Sequence, residues 1–153
     1  MSYANQHDIG AYITSAFGGQ DSTLGEEVNG VWVPKEYFLS GKVSVWYDAD
    51  LEAEETLTFN TVRVEDADDS SGTGAETYDR GSTTEISDYT ADNASGVVEL
   101  NLRLDGARDY VRVVWEAETS DTGTANIGAV WTFAGDYNRP PGEYQASTVT
   151  TSA

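Results

Sequence analysis

The sequence predicts an all-β protein, an antiparallel β-sandwich or jelly roll. Residues 97–104, 108–115 and 125–133 each alternate apolar and polar side chains. This alternation is typical of a strand with one buried face and one wet face. Short polar turns separate these runs, no segment has a convincing helical period, and no repeat of 20–50 residues indicates a propeller or solenoid. A parity switch and a long loop, described below, favour two facing sheets over a barrel.

The N-terminal elements come first in the chain. We expect residues 1–39 to form an extended N-terminal arm and a first strand, at Val28–Val33, which Pro34 ends because proline cannot donate to a ladder. The alternative for residues 9–17 of the arm is a short helix, which only a weak periodicity favours. Lys42–Tyr47 and Thr56–Val64 are the next strands. The apolar parity of the second one switches halfway, which indicates either a bulge or a strand whose second half faces elsewhere.

The remaining elements follow a long acidic segment. Residues 65–96 read as mostly loop, with a short edge strand near Thr83–Ile86. We therefore place the β-sandwich core at residues 40–141 and an irregular Ser/Thr-rich tail at residues 142–153.

Three tryptophans lie in predicted strands. Trp115 and Trp131 share parity with apolar neighbours, so we expect both in the core. Trp46 is opposite in phase to Val43, which makes it the better candidate for an exposed or interfacial aromatic residue.

The composition excludes several classes of function. The 153 residues include 27 Asp and Glu against 8 Lys and Arg, a net charge of −19. This balance argues against direct nucleic-acid binding and against docking on anionic lipid. No apolar run approaches the roughly 18 residues of a membrane span. The absence of Cys excludes disulfides and thiolate metal sites.

The acidic residues are unevenly distributed. Residues 48–92 carry fourteen carboxylates and two basic residues, whereas residues 97–115 carry three of each sign. A solvated acidic face is the usual explanation of such a run. The sharper hypothesis is a docking polarity, in which the least negative patch, around Arg103, Arg108 and Arg112, faces a partner.

No pattern of residues indicates catalysis. His7 is the single histidine, and neither a nucleophile elbow nor a phosphate-binding glycine loop is present. Among 27 carboxylates the sequence cannot select a glycosidase pair. We therefore expect no enzyme and no cofactor. The weak candidates for a calcium site are the loop carboxylates of Asp48, Asp50, Asp66 and Asp68.

Residues 40–141 resemble a known family. The resemblance is carried by Thr56-Leu-Thr-Phe-Asn-Thr-Val, Gly96-Val-Val-Glu-Leu-Asn-Leu, Ala107-Arg-Asp-Tyr-Val-Arg-Val-Val, Ile127-Gly-Ala-Val-Trp-Thr-Phe-Ala-Gly-Asp and Pro140. In this order the chain resembles the small cement, or decoration, proteins of tailed-phage capsids. The resemblance implies a jelly roll that sits on the outer capsid surface of the virion, binds the major capsid protein and itself as a homotrimer, and catalyses no reaction.

Aromatic residues near the N-terminus and the less acidic arginines are the predicted contact residues. They are Tyr3, Tyr12, Phe17, Trp32, Pro34, Tyr37, Phe38, Arg103, Arg108 and Arg112. Ordinary packing is the alternative for each of them. Two other functions stay open, a carbohydrate-binding or host-recognition module and an adaptor of the phage neck or tail.

Overall fold

The computed structural model describes residues 13–36, 38–80, 84–87 and 93–136. Ten strands lie in these ranges, and no helix does. They are β1 (Ile13–Asp21), β2 (Glu27–Asn29), β3 (Val33–Pro34), β4 (Phe38–Asp50), β5 (Thr56–Ala67), β6 (Glu76–Arg80), β7 (Thr84–Ser87), β8 (Asn93–Arg103), β9 (Tyr110–Thr119) and β10 (Thr124–Asp136).

The strands form two antiparallel sheets. Sheet A has the order β1-β10-β4-β8. Sheet B has the order β2-β9-β5-β6, with β3 also beside β9 and β7 also beside β5. The two short strands β2 and β3 lie end to end along β9, and β6 and β7 lie end to end along β5.

The pairing of the strands is nested. The first strand pairs with the last, β2 and β3 pair with β9, β4 pairs with β8, and β5 pairs with β6 and β7. Contacts of β4 with β10 and of β5 with β9 then close the roll. A long antiparallel hairpin rolled up in this way is a jelly roll, so the predicted fold class is confirmed.

The inward faces of both sheets form one hydrophobic core. Trp115 and Trp131 are fully buried, which confirms the core role predicted for both. The rings of Trp131 and Phe133 stack with their centroids 5.3 Å apart. The ring of Phe38 also stacks on Phe133, with the centroids 5.6 Å apart. Burial of these large side chains supplies the main free energy of folding in a chain without disulfides.

The parity switch in β5 has a simple cause. Phe59 pairs with Ala117 and Thr61 pairs with Glu116, so Asn60 is an extra residue in β5. An inserted residue exchanges the two faces of all later positions. Leu57 and Phe59 before it, and Val62 and Val64 after it, are therefore all fully buried. The predicted bulge is confirmed.

Two segments contain more strand than the sequence indicates. Within residues 1–39, β1 is an edge strand of sheet A, and β2 and β3 belong to sheet B, so the described part of this segment is integral to the sandwich. The acidic segment 65–96 contains the end of β5, both β6 and β7, and the start of β8. The predicted end of the N-terminal segment at residue 39 therefore falls inside β4, and the predicted start of the acidic loop at residue 65 falls inside β5. Residues 1–12 and 142–153 lie outside the described ranges.

Candidate docking face

Exposed apolar side chains concentrate on the outer face of sheet A. In the described part of the chain, the large hydrophobic residues classed as exposed are Phe17 (59%), Val31 (49%), Val97 (54%) and Val130 (38%). All but Val31 lie on sheet A, with side chains directed away from the core.

The register of sheet A aligns these residues. Phe17 of β1 is directly opposite Val130 of β10. Trp46 of β4 is directly opposite Gly128 of β10 on one side and Val97 of β8 on the other. Side chains directly opposite or diagonal on one face are neighbours. Phe17, Val130, Trp46 and Val97 therefore form an apolar strip that crosses all four strands, and we refer to them as the apolar strip.

Trp46 lies flat on the sheet because Gly128 leaves room for it. A Cβ added at Gly128 would overlap the six-membered side of the Trp46 indole. An aromatic ring over a strand glycine also shields that glycine's exposed backbone. Trp46 is half-buried, which agrees with the interfacial position that its phase indicates.

The surroundings of the apolar strip carry little net charge. Lys42 and Glu99 form an ion pair with 2.5 Å between Nζ and Oε1, and this pair holds the pKa of Glu99 below its ordinary value. Ser44, between Val130 and Glu99 in the register, adds a hydroxyl that donates to Glu99. In a protein of net charge −19, this is a face that another surface can approach without strong repulsion.

The outer face of sheet B is different, because its arginines Arg63 and Arg112 are paired with carboxylates within the chain. Arg63 donates to both oxygens of Glu27, at 2.5 and 2.6 Å, and to Glu65 at 2.8 Å. Arg112 binds Glu65 at 2.7 Å, and its Cζ lies 4.5 Å from the centroid of the Trp32 ring. Burial raises the pKa of Glu65, but the hydrogen bonds from Arg63 and Arg112 outweigh it, so this pKa lies below its ordinary value.

Arg108 is likewise used inside the chain. Its backbone N–H and its Nε donate to the Asp66 carboxylate at 3.0 and 3.1 Å, and its Nη2 donates to Asp66 at 2.7 Å. Asp66 is buried. This clamp ties the loop before β9 to the end of β5.

The structure separates the arginines of the predicted contact patch. Arg103 lies on sheet A, where it is 86% exposed and pairs with Asp105 at 2.7 Å. Arg112 lies on the opposite outer face, and Arg108 lies in the clamp with Asp66. The three do not form one surface, because Arg103 and Arg112 project from opposite sides of the sandwich.

The predicted aromatic contacts also divide. Phe17 is exposed in the apolar strip, Trp32 is half-buried beneath Arg112, and Pro34 is exposed in β3. Phe38 was expected at a contact surface but is a buried core residue, stacked on Phe133. Tyr3, Tyr12 and Tyr37 lie outside the described residues.

The calcium candidates are dispersed. Asp48 and Asp50 line a shallow groove of about 440 Å³ at the end of sheet A, beside Asn126 and Ser22. Asp66 is occupied by Arg108, and Asp68 lies 3.7 Å from the same arginine. In the described ranges, no group of three or more His, Cys, Asp or Glu residues could hold a metal ion.

Sequence reasoning missed Val97 and Val130 as surface residues. Each lies on the wet parity of its strand, next to a residue of the opposite parity: half-buried Val98 follows Val97, and buried Trp131 follows Val130. An apolar residue on the wet parity of a strand is the signal that could have identified them.

No helix in the described residues is long and apolar enough to cross a membrane.

Comparison with known sequences assigns no family to this chain. No family of sequences and no curated protein matches the chain.

Solved structures with a similar arrangement of the backbone include the following two. One is a chain of infectious bursal disease virus Gx strain, with TM-score 0.49 and 8% identity over 84% of this chain and 33% of that one. The other contains the CBM22-1 and GH10 modules of the Clostridium thermocellum N-terminal endo-1,4-β-D-xylanase 10B, complexed with xylohexaose. Its TM-score is 0.40, and the two chains are 10% identical over 85% of this chain and 27% of that one. This chain thus spans a third or less of either protein, and at these scores neither likeness bears on function.

Proposed function

We propose that this protein is a non-enzymatic structural component of a virion that decorates a tailed-phage capsid. It binds the outside of the major capsid protein shell and stabilises the shell by contact. The resemblance of residues 40–141 to cement proteins motivates the proposal. The observation that carries it is the apolar strip, which exposes large hydrophobic side chains on a weakly charged face of a strongly acidic protein.

The distribution of charge supports a two-sided arrangement. Apolar side chains grouped on one face usually mark a surface that another molecule covers. The apolar strip would contact the shell, and the acidic remainder would face the solvent. Many copies on one shell would turn weak single contacts into firm attachment.

Recruitment to empty shells tests the proposal. Shells assembled from the major capsid protein encoded by the same genome are sedimented with this protein, and their resistance to heat is measured with and without it. We expect cosedimentation and a higher melting temperature of the shells. Val130 is 38% exposed, so covering it is worth about 1 kcal/mol or less, and burying an unpaired lysine ammonium against the shell adds a larger cost. Val130→Lys should therefore weaken recruitment at least tenfold.

Thr58→Lys is the control, because it adds the same positive charge. Thr58 lies between Leu57 and Phe59, which are both buried, so it is on the outer face of sheet B, on the opposite side of the sandwich from the apolar strip. This variant should bind shells like the wild type. Failure of the wild type to bind, or equal binding by Val130→Lys, would contradict the proposal.

Carbohydrate binding is the second candidate, and Trp46 is the observation that favours it. A flat, half-exposed indole on a sheet face can stack on a sugar ring. Retention on a polysaccharide column that Trp46→Ala abolishes, together with no binding to shells, would favour this alternative.

A further inference from the structure

We propose that two copies of this chain pair through the free edge of β8, so that sheet A continues from one copy into the other. Among the described strands, β8 is the last of sheet A. β4 pairs with one of its edges, and no described strand pairs with the other, which we call the free edge. The backbone groups on the other side of an edge strand are a template for another strand.

The other edges of the two sheets are protected against such pairing. β1 has a register shift at Gly18, and the carbonyl of Gly18 accepts a hydrogen bond from the Val31 N–H at 2.8 Å. The remaining two edges each consist of two short strands, β2 with β3 and β6 with β7. Short strands and bulges are the means by which proteins prevent association at an edge.

β8 has none of these protections within its described length. It pairs with β4 over eleven consecutive residues without a register shift. Residues 93–101 contain no proline, and their single charged residue is Glu99, which Lys42 neutralises. This is the stretch on which two chains of net charge −19 can meet with little direct repulsion.

Two hydrogen bonds identify the backbone groups that face the free edge. The N–H of Leu104 donates to the carbonyl of Leu39 at 2.7 Å, so this amide points towards the β4 side. The carbonyl of Arg103 instead accepts from the hydroxyl of Tyr78 on β6, so it points away from β4. Since backbone direction alternates along a strand, the odd-numbered residues from Ser95 to Asn101 present their amides and carbonyls to the free edge.

The side chains select one register. Tyr78 occupies the edge at Arg103, which leaves residues 93–101 for pairing. A two-fold axis at Val97 aligns these nine residues antiparallel, with each Ser95 opposite Glu99 of the other copy. An axis at Glu99 would instead oppose two like charges, which is unfavourable in a sheet.

The register at Val97 also accounts for its exposure. Val97 is 54% exposed although it is opposite Trp46 in the sheet. In the pair, each Val97 would be covered by its counterpart. The two apolar strips would then join into one continuous strip across eight strands, with Phe17, Val130 and Trp46 of both copies left to contact a partner.

Sedimentation equilibrium of the full chain tests the pairing. At about 1 M NaCl the Debye length is about 3 Å, so repulsion between copies is screened. We expect a reversible dimer in which the amides of Ser95, Val97, Glu99 and Asn101 exchange more slowly than at dilutions that give monomer, whereas the even-numbered amides between them, which already pair with β4, are unchanged. Val97→Lys removes the apolar contact on the axis and places two like charges there. Compared with the wild type at about 0.15 M NaCl, where the Debye length is about 8 Å and charges this close still interact, it should weaken the dimer about tenfold or more.

Two further variants make the test specific. Val130→Lys, on the same face but two strands from the edge, should leave the dimer intact. Val97→Lys mixed with Val97→Glu should form a mixed dimer, because opposite charges then meet on the axis. A monomer at high salt, the trimer that the resemblance to cement proteins implies, or a dimer insensitive to Val97→Lys would each overturn the proposal. Because no shell is present, these outcomes are independent of shell binding.

Discussion

The Trp46 indole lies across Gly128, its direct cross-strand neighbour in sheet A, at a point where a Cβ on Gly128 would collide with the ring. Each residue therefore requires the other. The glycine allows the ring to lie flat, and the ring covers backbone that the glycine leaves exposed.

This relationship predicts non-additive effects of substitution. Gly128→Ala should destabilise the wild-type protein because the new methyl group displaces Trp46. In a Trp46→Ala background the same change should be neutral or stabilising, because alanine suits a strand better than glycine. We expect a coupling free energy of about 0.5–3 kcal/mol, measured by urea unfolding of the four proteins of the cycle at constant salt. Additive effects would mean that the ring does not rest on the glycine.

The acid stability of the protein should depend on Glu65. Its folded pKa lies below its ordinary value, so the unfolded chain binds its proton more readily. Its contribution is therefore present above about pH 5 and is lost as the pH falls through the lowered pKa. At neutral pH, Glu65→Gln should cost about 1–3 kcal/mol because Arg63 and Arg112 lose a charged acceptor.

Thermal unfolding between about pH 3 and 7 checks this expectation. The melting temperatures of wild type and Glu65→Gln should converge as the pH falls. Glu118→Gln, at an exposed position of β9, is the control and should follow the wild type at every pH. A constant difference between wild type and Glu65→Gln down to the lowest pH would exclude this role of the carboxylate.

The turn between β9 and β10 should depend on Glu55. The buried Glu55 carboxylate accepts the N–H groups of Glu52, Asp121 and Gly123, at 3.0, 3.1 and 2.6 Å. These bonds lower its pKa. Glu55→Gln keeps the size of the side chain but replaces one acceptor oxygen by a donor group. Asp121 and Gly123 donate to Oε1 and Glu52 donates to Oε2, so the single amide oxygen of glutamine can serve only one side. Hydrogen exchange should therefore accelerate either at Glu52 or at Asp121 and Gly123 together.

Glu54→Gln provides the comparison for this measurement. Glu54 is the exposed neighbour of Glu55, and its substitution should leave exchange in the turn unchanged. Equal exchange rates in both variants would mean that the backbone alone holds the turn.

Salt should strengthen every association of this protein. Repulsion between surfaces of net charge −19 weakens as the Debye length shortens, whereas apolar contacts persist. We expect affinity for shells to rise from low to molar NaCl in sedimentation assays. Affinity that falls steadily with salt would instead indicate attraction of the acidic surface to a basic partner.

Local periodicity predicted much of the sandwich. The buried parity of β9 and β10, the core positions of Trp115 and Trp131 and the bulge in β5 could all be recognised, because alternation within a strand depends only on its neighbours in sequence. β1 was missed as a strand. It contains Gly18 and Gly19 and exposes Phe17, so its own pattern is weak, and it is held by a partner at the other end of the chain.

The arginines were also misplaced because their partners are distant in sequence. Arg108 and Arg112 were predicted at a contact surface, but their carboxylate partners lie 42 and 47 positions earlier in the chain. Pairs of this kind depend on strand register, which a single sequence does not specify.

The sequence by itself determined where the central parts of β4, β5, β8, β9 and β10 lie, which face of each is buried and how acidic the protein is, because these properties follow from local order and composition. Only the tertiary structure decided that Phe17, Val130, Trp46 and Val97, from four different strands, meet on one face. The physical reason is that neighbours across a sheet are selected by the register of distant segments, and that register is set by the packing of the whole roll.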